Sequence, residues 1–323
     1  MRLETVDHDD VHRLVGIKDA IDAVRDAFVD FEHGKFELPT RLHLGGGQFL
    51  VMPTRHIPTG TAVVKVLSLN FERVPPIAGT VTWVEFAHAR SLIIDAEATT
   101  ALRTGAAVGV ATDLMAPADA TKLVMFGAGA QAFHQVMAVN AVRPLARVAV
   151  VDLDPSKAER LAVRLRHAIP EATVSVASDA QRALAGAEIV NCATTSRRQL
   201  FEVDSVPPTV HVNAIGAFTP GMRELPNELL ARATVVVDDP VAALSEAGEI
   251  IEAVAAGAIA EHRLLPIGRA LGGSFARTPI TVFKSVGIAP QDWAVARLVA
   301  TRIAERRAGA AGTEQSATAS AAP

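Results

Sequence analysis

The stretch KLVMFGAGAQA, residues 122–132, carries the pattern that decides the fold. Its first five residues form an almost uninterrupted apolar run, which predicts a β-strand buried on both faces of a parallel sheet. The run leads into Gly127, Gly129 and Ala132, spaced as G-x-G-x-x-A at the predicted start of a helix. Small residues there allow a tight turn, a close approach of the backbone to a pyrophosphate, and close packing of helix on strand. The stretch therefore predicts a phosphate-binding strand–turn–helix unit.

An acidic residue follows at the position that a dinucleotide-binding unit requires. Asp152 ends the next apolar run, RVAVVD, and lies 20 residues after Ala132. A carboxylate at this point accepts hydrogen bonds from the adenosine ribose hydroxyls and repels a 2′-phosphate. No arginine follows in DLDPSKA, so the sequence predicts a preference for NAD(H), with NADP(H) as the alternative. Ala130 and Gln131, inside the turn, are further candidate cofactor contacts.

Apolar runs alternate with predicted helices after this unit. RVAVVD, ATVSVA, AEIVNCAT, TVHVNAIG and ATVVVDD leave room between them for connecting helices. Six strands in this arrangement predict an α/β fold with a central Rossmann-type, doubly wound parallel sheet over residues 113–284. Segments 1–112 and 285–310 are too short for two independent cores. We expect them to combine into one discontinuous α+β domain, followed by a disordered low-complexity tail at 311–323.

The composition argues against several classes of protein. The 323 residues carry 31 Lys and Arg against 35 Asp and Glu, a formal charge of −4, and no basic cluster indicates nucleic acid as a partner. The mean hydropathy of +0.27 reflects alanine, because charged residues interrupt every run that approaches the roughly 20 apolar residues of a membrane span. The charged start has no apolar signal segment, so a cytoplasmic protein is expected. One cysteine and no clustered histidines predict no metal site.

Five sequence blocks in order resemble the ornithine cyclodeaminase/mu-crystallin family. They lie between about residues 39 and 292 and read PTR with VVKV, ATTALRTGAA, GAGAQA, VNAIGAFTPGMREL and VFKSVGIAPQD. The resemblance implies a homodimer whose two-ended domain binds substrate and forms the subunit contact. It also implies NAD(P)(H) chemistry on a small amino or imino acid, namely cyclodeamination, reduction of a cyclic ketimine, or alanine dehydrogenation. Mu-crystallin-like members of the family also bind thyroid hormone.

The resemblance also implies roles for individual residues. Arg41, Lys65 and Arg103 fall on the positions that bind the substrate carboxylate, which suits a planar guanidinium and an ammonium. Lys65 lies among apolar residues in TAVVKVLSL, where a buried lysine needs a partner or a function. It is the candidate catalytic residue, either as carboxylate ligand or as proton donor. The positions implied along the cofactor are Thr80, Arg103, Thr194, Asn213, Ala214, Gly216 and Ser285.

One position departs from the cyclodeaminase pattern. Cyclodeaminases carry an aspartate two residues before the proline of the loop GAFTPG, and here that residue is Phe218. An aspartate can activate water or move a proton, whereas a phenyl ring cannot. The resemblance thus favours reduction of Δ1-pyrroline-2-carboxylate or Δ1-piperideine-2-carboxylate to L-proline or L-pipecolate, with Phe218 packed on the ring methylenes. An alanine or other amino-acid dehydrogenase, an ornithine or lysine cyclodeaminase, and a non-catalytic mu-crystallin-like ligand-binding protein stay as alternatives.

Several charged residues have a simpler interpretation. Asp238 and Asp239 end an apolar run, and Glu246 and Glu249 follow in SEAGEI. Paired carboxylates are also typical of acid–base or metal sites, but all four are interpreted as solvated groups at a strand end and a helix N-terminus, where acidic side chains stabilise the helix dipole. Lys284, next to Ser285, is a second candidate for the role of Lys65, but it is interpreted as a surface lysine.

Overall fold

A computed structural model describes residues 3–70, 72–73, 77–88, 90–273 and 275–320, with side chains described as far as residue 308. The strands are β1 (Leu3–Val6), β2 (Phe36–Glu37), β3 (Leu42–Leu44), β4 (Phe49–His56), β5 (Thr61–Leu69), β6 (Ile77–Glu85), β7 (Arg90–Asp95), β8 (Lys122–Phe126), β9 (Arg147–Val151), β10 (Thr173–Val176), β11 (Ile189–Cys192), β12 (Val210–Ala214), β13 (Thr234–Val237), β14 (Leu265–Pro266) and β15 (Ile280–Lys284). The α-helices are α1 (His8–Leu14), α2 (Ile17–Glu32), α3 (Ala96–Met115), α4 (Ala132–Val142), α5 (Pro155–Ala168), α6 (Ala180–Leu184), α7 (Asn227–Arg232), α8 (Pro240–Glu246), α9 (Gly248–Ala255), α10 (Ile267–Gly272) and α11 (Ala289–Ser320).

The first seven strands form a mainly antiparallel sheet in the spatial order β1–β7–β6–β5–β4–β2, with β3 paired to β4. Side chains alternate between the two faces of a strand, and along β5 the buried ones are Thr61, Val63, Lys65 and Leu67. This face packs against α2, α3 and α11. The helical layer that covers Lys65 is therefore built from both ends of the chain.

The other eight strands form one parallel sheet in the order β10–β9–β8–β11–β12–β15–β13–β14. This confirms the predicted α/β class with a doubly wound parallel sheet. The structure adds β14 and β15 to the six predicted strands, and β14 has only two residues, too few for a periodic pattern. The strand order reverses between β8 and β11, and ligands of such sheets bind at the carboxyl ends of the strands beside this reversal.

The last helix differs from the expectation for the tail. The backbone over 311–320, for which the composition predicts disorder, continues α11, while residues 321–323 lie outside the described residues. The segment is rich in alanine, the residue with the highest helix propensity, and its proline stands at position 323. Among the described residues, no helix is both long and apolar enough to cross a bilayer.

Candidate active site

The turn after β8 has the geometry of a phosphate-binding loop. Gly127 has a φ of +90°, and a Cβ at this residue would lie 2.5 Å from the carbonyl oxygen of Ala193, so a side chain is excluded. A Cβ on the exposed Gly129 would meet nothing within 4 Å, which leaves room for a ligand at the backbone. The turn opens α4, whose first turn has no acidic residue to compete with an anion. These residues fit the pyrophosphate of a dinucleotide.

Asp152 is held beside this turn by backbone donors. Its carboxylate accepts hydrogen bonds from the N–H groups of Ala128, at 2.6 Å, and Asp154, at 2.8 Å. Ala130 is exposed and Gln131 is half-buried in the same turn. Two backbone donors thus fix the carboxylate beside the turn, and its contact with a ribose stays a prediction.

Other predicted cofactor residues follow neighbouring strands at the same edge of the parallel sheet. Thr194 follows β11, Gly216 follows β12 and Ser285 directly follows β15. The N–H of Ser285 donates to the carbonyl oxygen of Ala214 at 3.2 Å. The carboxyl ends of adjacent parallel strands meet at one edge, so these residues lie near the turn at Gly127. The structure brings them together as the resemblance implies for a cofactor site.

The buried carboxylate of Glu224, which the sequence analysis missed, joins two of these segments. Its Oε1 accepts from the N–H and the hydroxyl of Thr194 at 2.6 and 2.8 Å, and its Oε2 accepts from the N–H of Gly216 at 2.7 Å. Burial raises the pKa of Glu224, and nearby Lys284 opposes that rise. No local pattern singles out this glutamate, because its partners Thr194 and Gly216 lie 30 and 8 residues away and follow two different strands.

Two predicted cofactor residues direct their side chains into the protein. The Asn213 amide donates to Thr112 Oγ1 at 3.0 Å and to Asn191 Oδ1 at 2.8 Å. The Ser285 hydroxyl donates to Asp238 Oδ2 at 2.7 Å. In this arrangement both side chains position backbone at the strand ends, and their contact with a cofactor stays a prediction.

Thr80 lies apart from the other predicted residues. Its neighbour Val81 pairs in register with Lys65 on the helix-covered face of the antiparallel sheet. Because side chains alternate along a strand, Thr80 belongs to the opposite face, where it is exposed. The structure does not bring Thr80 and Lys65 to one side of the sheet.

Arg41, Lys65 and Arg103 converge on the segment from Gly287 to Asp292. Arg41 Nη2 donates to the Gly287 carbonyl oxygen at 2.9 Å. Gly287 has a φ of +79°, and a Cβ there would lie 2.3 Å from Arg103 Nη1. Arg103 Nε and Lys65 Nζ lie 3.4 and 2.8 Å from Asp292 Oδ1. Three cations from β5, α3 and the loop before β3 thus converge on one short segment after β15.

Lys65 and Asp292 form an ion pair with no solvent exposure. Burial and, to a smaller extent, the positive charges of Arg103 and Arg41 lower the pKa of Lys65 to about 7, although Asp292 opposes this shift. Burial also lowers the pKa of Arg103. A lysine that titrates near neutral pH can donate and recover a proton. The sequence analysis missed Asp292, which reaches Lys65 from the first turn of α11.

Carboxylates balance these cations, and the interpretation of two of them as solvated is wrong. Asp238 is buried and accepts hydrogen bonds from Ser285 and from the Gly287 N–H, at 2.8 Å. Glu246 Oε2 lies 2.7 Å from Arg41 Nη2, with both side chains nearly buried. The end of β13 is covered by the segment after β15, so a strand end that looks exposed in the sequence is enclosed.

A second buried pair corrects two further interpretations. Lys284 Nζ lies 2.9 Å from Glu249 Oε1, and neither side chain is exposed, so Lys284 is not a surface lysine and Glu249 is not solvated. Lys284 ends a strand in the middle of the sheet, and α9 brings Glu249 against it. Asp239, in contrast, accepts from the N–H groups at the start of α8, which confirms its interpretation as a helix-end residue.

A cavity of about 270 Å³ opens at Arg41 and is suited in size to a small organic acid. Its wall includes Met52, which pairs in register with Lys65, and further lining residues are Ser245, Glu246, Gly287 and Ala289. Phe218 is half-buried beyond Gly216 and is not among the described lining residues. A larger groove of about 490 Å³, beside α6, contains none of the predicted site residues.

The parallel sheet and the glycine turn after β8 define an α/β protein of the Rossmann type. The chain belongs to the ornithine cyclodeaminase/mu-crystallin family, whose sequence model matches residues 4–307. It is 31% identical over 305 residues to an alanine dehydrogenase of Archaeoglobus fulgidus, covering 90% of this chain and 92% of that protein.

Two solved structures share the whole fold. One is Thermococcus litoralis Δ1-pyrroline-2-carboxylate reductase in complex with NADH and L-proline, with a TM-score of 0.88, 28% identity, and coverage of 95% of this chain and 98% of that one. The other is an archaeal alanine dehydrogenase dimer with bound NAD, with a TM-score of 0.87, 28% identity and the same coverage. NAD(H) is the cofactor in the family.

Proposed function

We propose that this protein is an NADH-dependent reductase of small cyclic imino acids, converting Δ1-pyrroline-2-carboxylate or Δ1-piperideine-2-carboxylate to L-proline or L-pipecolate. The observation that carries the proposal is the convergence of Arg41, Lys65 and Arg103 on the segment from Gly287 to Asp292, beside the cavity that Arg41 lines. Gly287 lies two residues after Ser285, so the carboxylate-binding cations adjoin the edge of the sheet that carries the predicted cofactor residues.

Reduction of a cyclic imine requires this chain mainly to position the substrate. Bound NADH would supply the hydride that adds to C2 of the imine. The arginines would hold the substrate carboxylate, which orients the C=N bond and lowers the entropic cost of reaction. The ring nitrogen must carry a proton so that hydride addition to C2 of the iminium gives the secondary amine. Lys65 is the candidate to hold or deliver this proton, since its pKa is about 7.

The alternatives differ in what they need from these residues. Amination of pyruvate passes through an imine of similar shape, and the similarity to an alanine dehydrogenase over most of both chains supports that reaction as the second candidate. Cyclodeamination needs an acid–base group where this chain has Phe218. A binding protein for an apolar ligand has little use for three converging cations.

One set of assays tests the proposal. The purified protein with NADH is offered pyrroline-2-carboxylate, piperideine-2-carboxylate, or pyruvate with ammonia, and ornithine with NAD is tested separately. We expect NADH oxidation with at least one cyclic imine to exceed that with pyruvate by roughly tenfold or more in kcat/KM, the range that differential binding of one group can supply. Rapid release of ammonia from ornithine would contradict the argument from Phe218. Tight binding of NADH without any turnover would favour the ligand-binding alternative.

The cofactor preference is a separate prediction. The Asp152 carboxylate is fixed at the turn by Ala128 and Asp154, so it would repel the 2′-phosphate of NADPH. We expect a higher kcat/KM for NADH than for NADPH with the same imine, and Asp152→Ser should narrow the difference. A higher value with NADPH would show that the assignment of Asp152 is mistaken.

The activity should depend on pH through Lys65. Its ammonium form predominates below about pH 7, so kcat/KM should fall as the pH rises through that value and the proton is lost. Asp292 stabilises the charged form, so Asp292→Asn should move this alkaline limb to lower pH. A limb that stays at the same pH in the variant would mean that the substrate nitrogen titrates instead.

A homodimer is proposed through the open face of the antiparallel sheet. Apolar side chains on this face, opposite the helices, are only half-buried in the single chain, among them Val64, Val66, Val84 and Ile93. A similar alanine dehydrogenase is a dimer. Light scattering should give twice the mass of one chain, and Val66→Arg should yield monomers.

A further inference from the structure

The carboxylates around the cavity at Arg41 are not equivalent. Asp239 lines the cavity but accepts hydrogen bonds from the N–H groups of Val241 and Ala242 at the start of α8. Asp238 accepts hydrogen bonds from Ser285 and from backbone N–H groups, and Asp292 is fully buried against Lys65. Glu246 keeps 12% of its side chain exposed and lies on the cavity wall beside Arg41. Glu246 is therefore the carboxylate that can meet a ligand.

The contact between Glu246 and Arg41 is close, but the Glu246 carboxylate can still accept hydrogen bonds from a ligand. Glu246 Oε2 lies 2.7 Å from Arg41 Nη2 without the alignment of a hydrogen bond. The other oxygen lies 3.8 Å from His43 Nε2, and burial and the charge of Arg41 both lower the pKa of His43, so this ring adds little positive charge. Arg41 is thus the main counter-charge of Glu246.

Arg41 is also the residue to which a ligand carboxylate would bind in this cavity. The Nη2 of Arg41 donates a hydrogen bond to the Gly287 carbonyl oxygen, and this bond restricts movement of the guanidinium toward the Glu246 carboxylate or toward a ligand carboxylate. A ligand carboxylate would meet Glu246 as a competitor of the same charge. Burial, together with Asp238 and Asp239, already disfavours a negative charge on Glu246, so a displaced Glu246 requires another cation nearby.

We propose that Glu246 selects ligands that carry a cationic nitrogen next to their carboxylate. In the empty cavity Glu246 pairs with Arg41; an imino or amino acid takes its place on Arg41, and the freed Glu246 accepts a hydrogen bond from the iminium or ammonium N–H. After the exchange each charged group again has a partner of opposite charge. An acid with a neutral group at that position displaces Glu246 without compensating it. This inference rests on the proposed function, which it deepens by naming the residue that recognises the nitrogen.

The test compares two ligands that differ only at this atom. L-Proline and tetrahydrofuran-2-carboxylate share a five-membered ring and a carboxylate, but the second has an ether oxygen in place of the charged nitrogen. Their dissociation constants are measured by calorimetry on the wild type and on Glu246→Gln with saturating NADH, so that no turnover occurs. For Glu246→Gln we expect the dissociation constant of proline to rise by roughly tenfold or more, which corresponds to the loss of a charge-assisted hydrogen bond. We expect the ether to bind more tightly, because its competitor for Arg41 is gone.

Opposite changes for the two ligands separate recognition from a structural role. Equal weakening of both ligands, or unchanged binding of proline, would overturn the inference. Glu246→Asp keeps a partner for Arg41 should the glutamine variant fold poorly; its shorter reach should weaken proline while leaving the ether unimproved. Glu159→Gln removes a comparable carboxylate from a surface pair with Arg166 and should change neither constant.

The same measurements distinguish this inference from the proposed function. If the wild type reduces no cyclic imine but the two ligands still respond in opposite directions, Glu246 recognises the nitrogen of another amino or imino acid. If the imines are reduced and the ligand preference does not change in Glu246→Gln, the proposed function stands and the role of Glu246 is refuted.

Discussion

Lys65→Met should lower kcat/KM for the cyclic imine by roughly a hundredfold or more, the usual contribution of a positioned acid–base group. The methionine keeps much of the aliphatic volume but removes the ammonium, and with it the group proposed to bind the carboxylate or to donate the proton. The dissociation constant of NADH should stay within about a factor of three, since Lys65 lies under the cavity wall and not at the phosphate-binding turn. Initial rates and fluorescence titration of NADH measure the two effects.

The double variant Lys65→Met/Asp292→Asn provides the control for stability. The single variant leaves Asp292 fully buried with only Arg103 beside it, and breaking a buried pair in this way costs about 3–5 kcal/mol. The double variant removes the uncompensated charge, so its Tm should recover in part while its activity stays low. Activity that recovers together with Tm would show that Lys65 acts through folding. An equal loss of NADH affinity would show that the cavity is misplaced.

Gly287→Ala should also lower kcat/KM by roughly a hundredfold, because displacing a catalytic constellation by about 1 Å can cost that much. The new Cβ would lie 2.3 Å from Arg103 Nη1, so the guanidinium must leave its contacts with Gln291 and Asp292. The carbonyl oxygen of Gly287 also accepts a hydrogen bond from Arg41, so two of the three cations would shift. Steady-state kinetics with the imine and NADH titration measure the result.

Gly257→Ala is the matched control for backbone strain. Gly257 has a φ of +69°, close to that of Gly287, but a Cβ there would meet nothing within 4 Å. It should lose only about 1–2 kcal/mol of stability from the left-handed conformation and keep wild-type kinetics. Similar kinetic losses in both variants would attribute the effect to strain, and unchanged kinetics in Gly287→Ala would refute the close packing on Arg103.

The fold could be predicted because its signals are local. The apolar run of β8, the glycine turn and the following helix lie within a short stretch, and each reflects a backbone requirement of its own segment. β14 escaped prediction because two residues carry no period. Over 311–320 the composition predicts disorder, whereas the backbone described there continues α11 in an alanine-rich segment.

The site was predicted only in part, for a related reason. The cations Arg41, Lys65 and Arg103 were inferred from ordered blocks of sequence, and for Lys65 also from its apolar surroundings. Their counter-charges come from distant elements: Asp292 is 227 residues from Lys65, and Glu246 reaches Arg41 from α8. The burial of Lys284 depends on α9 covering a strand end. A net charge of −4 says nothing about such pairings.

The sequence by itself determined the parallel sheet and the glycine turn after β8, because hydrophobic period and glycine geometry act over neighbouring residues, whereas the set of cationic residues followed from the family resemblance. The tertiary structure alone decided which carboxylates face those cations and which charged groups lose contact with water. Ionic partners are selected by proximity in space, and the desolvation that shifts a pKa depends on everything packed around a group. A residue such as Asp292 therefore acquires its role only when α11, the last helix, closes over β5.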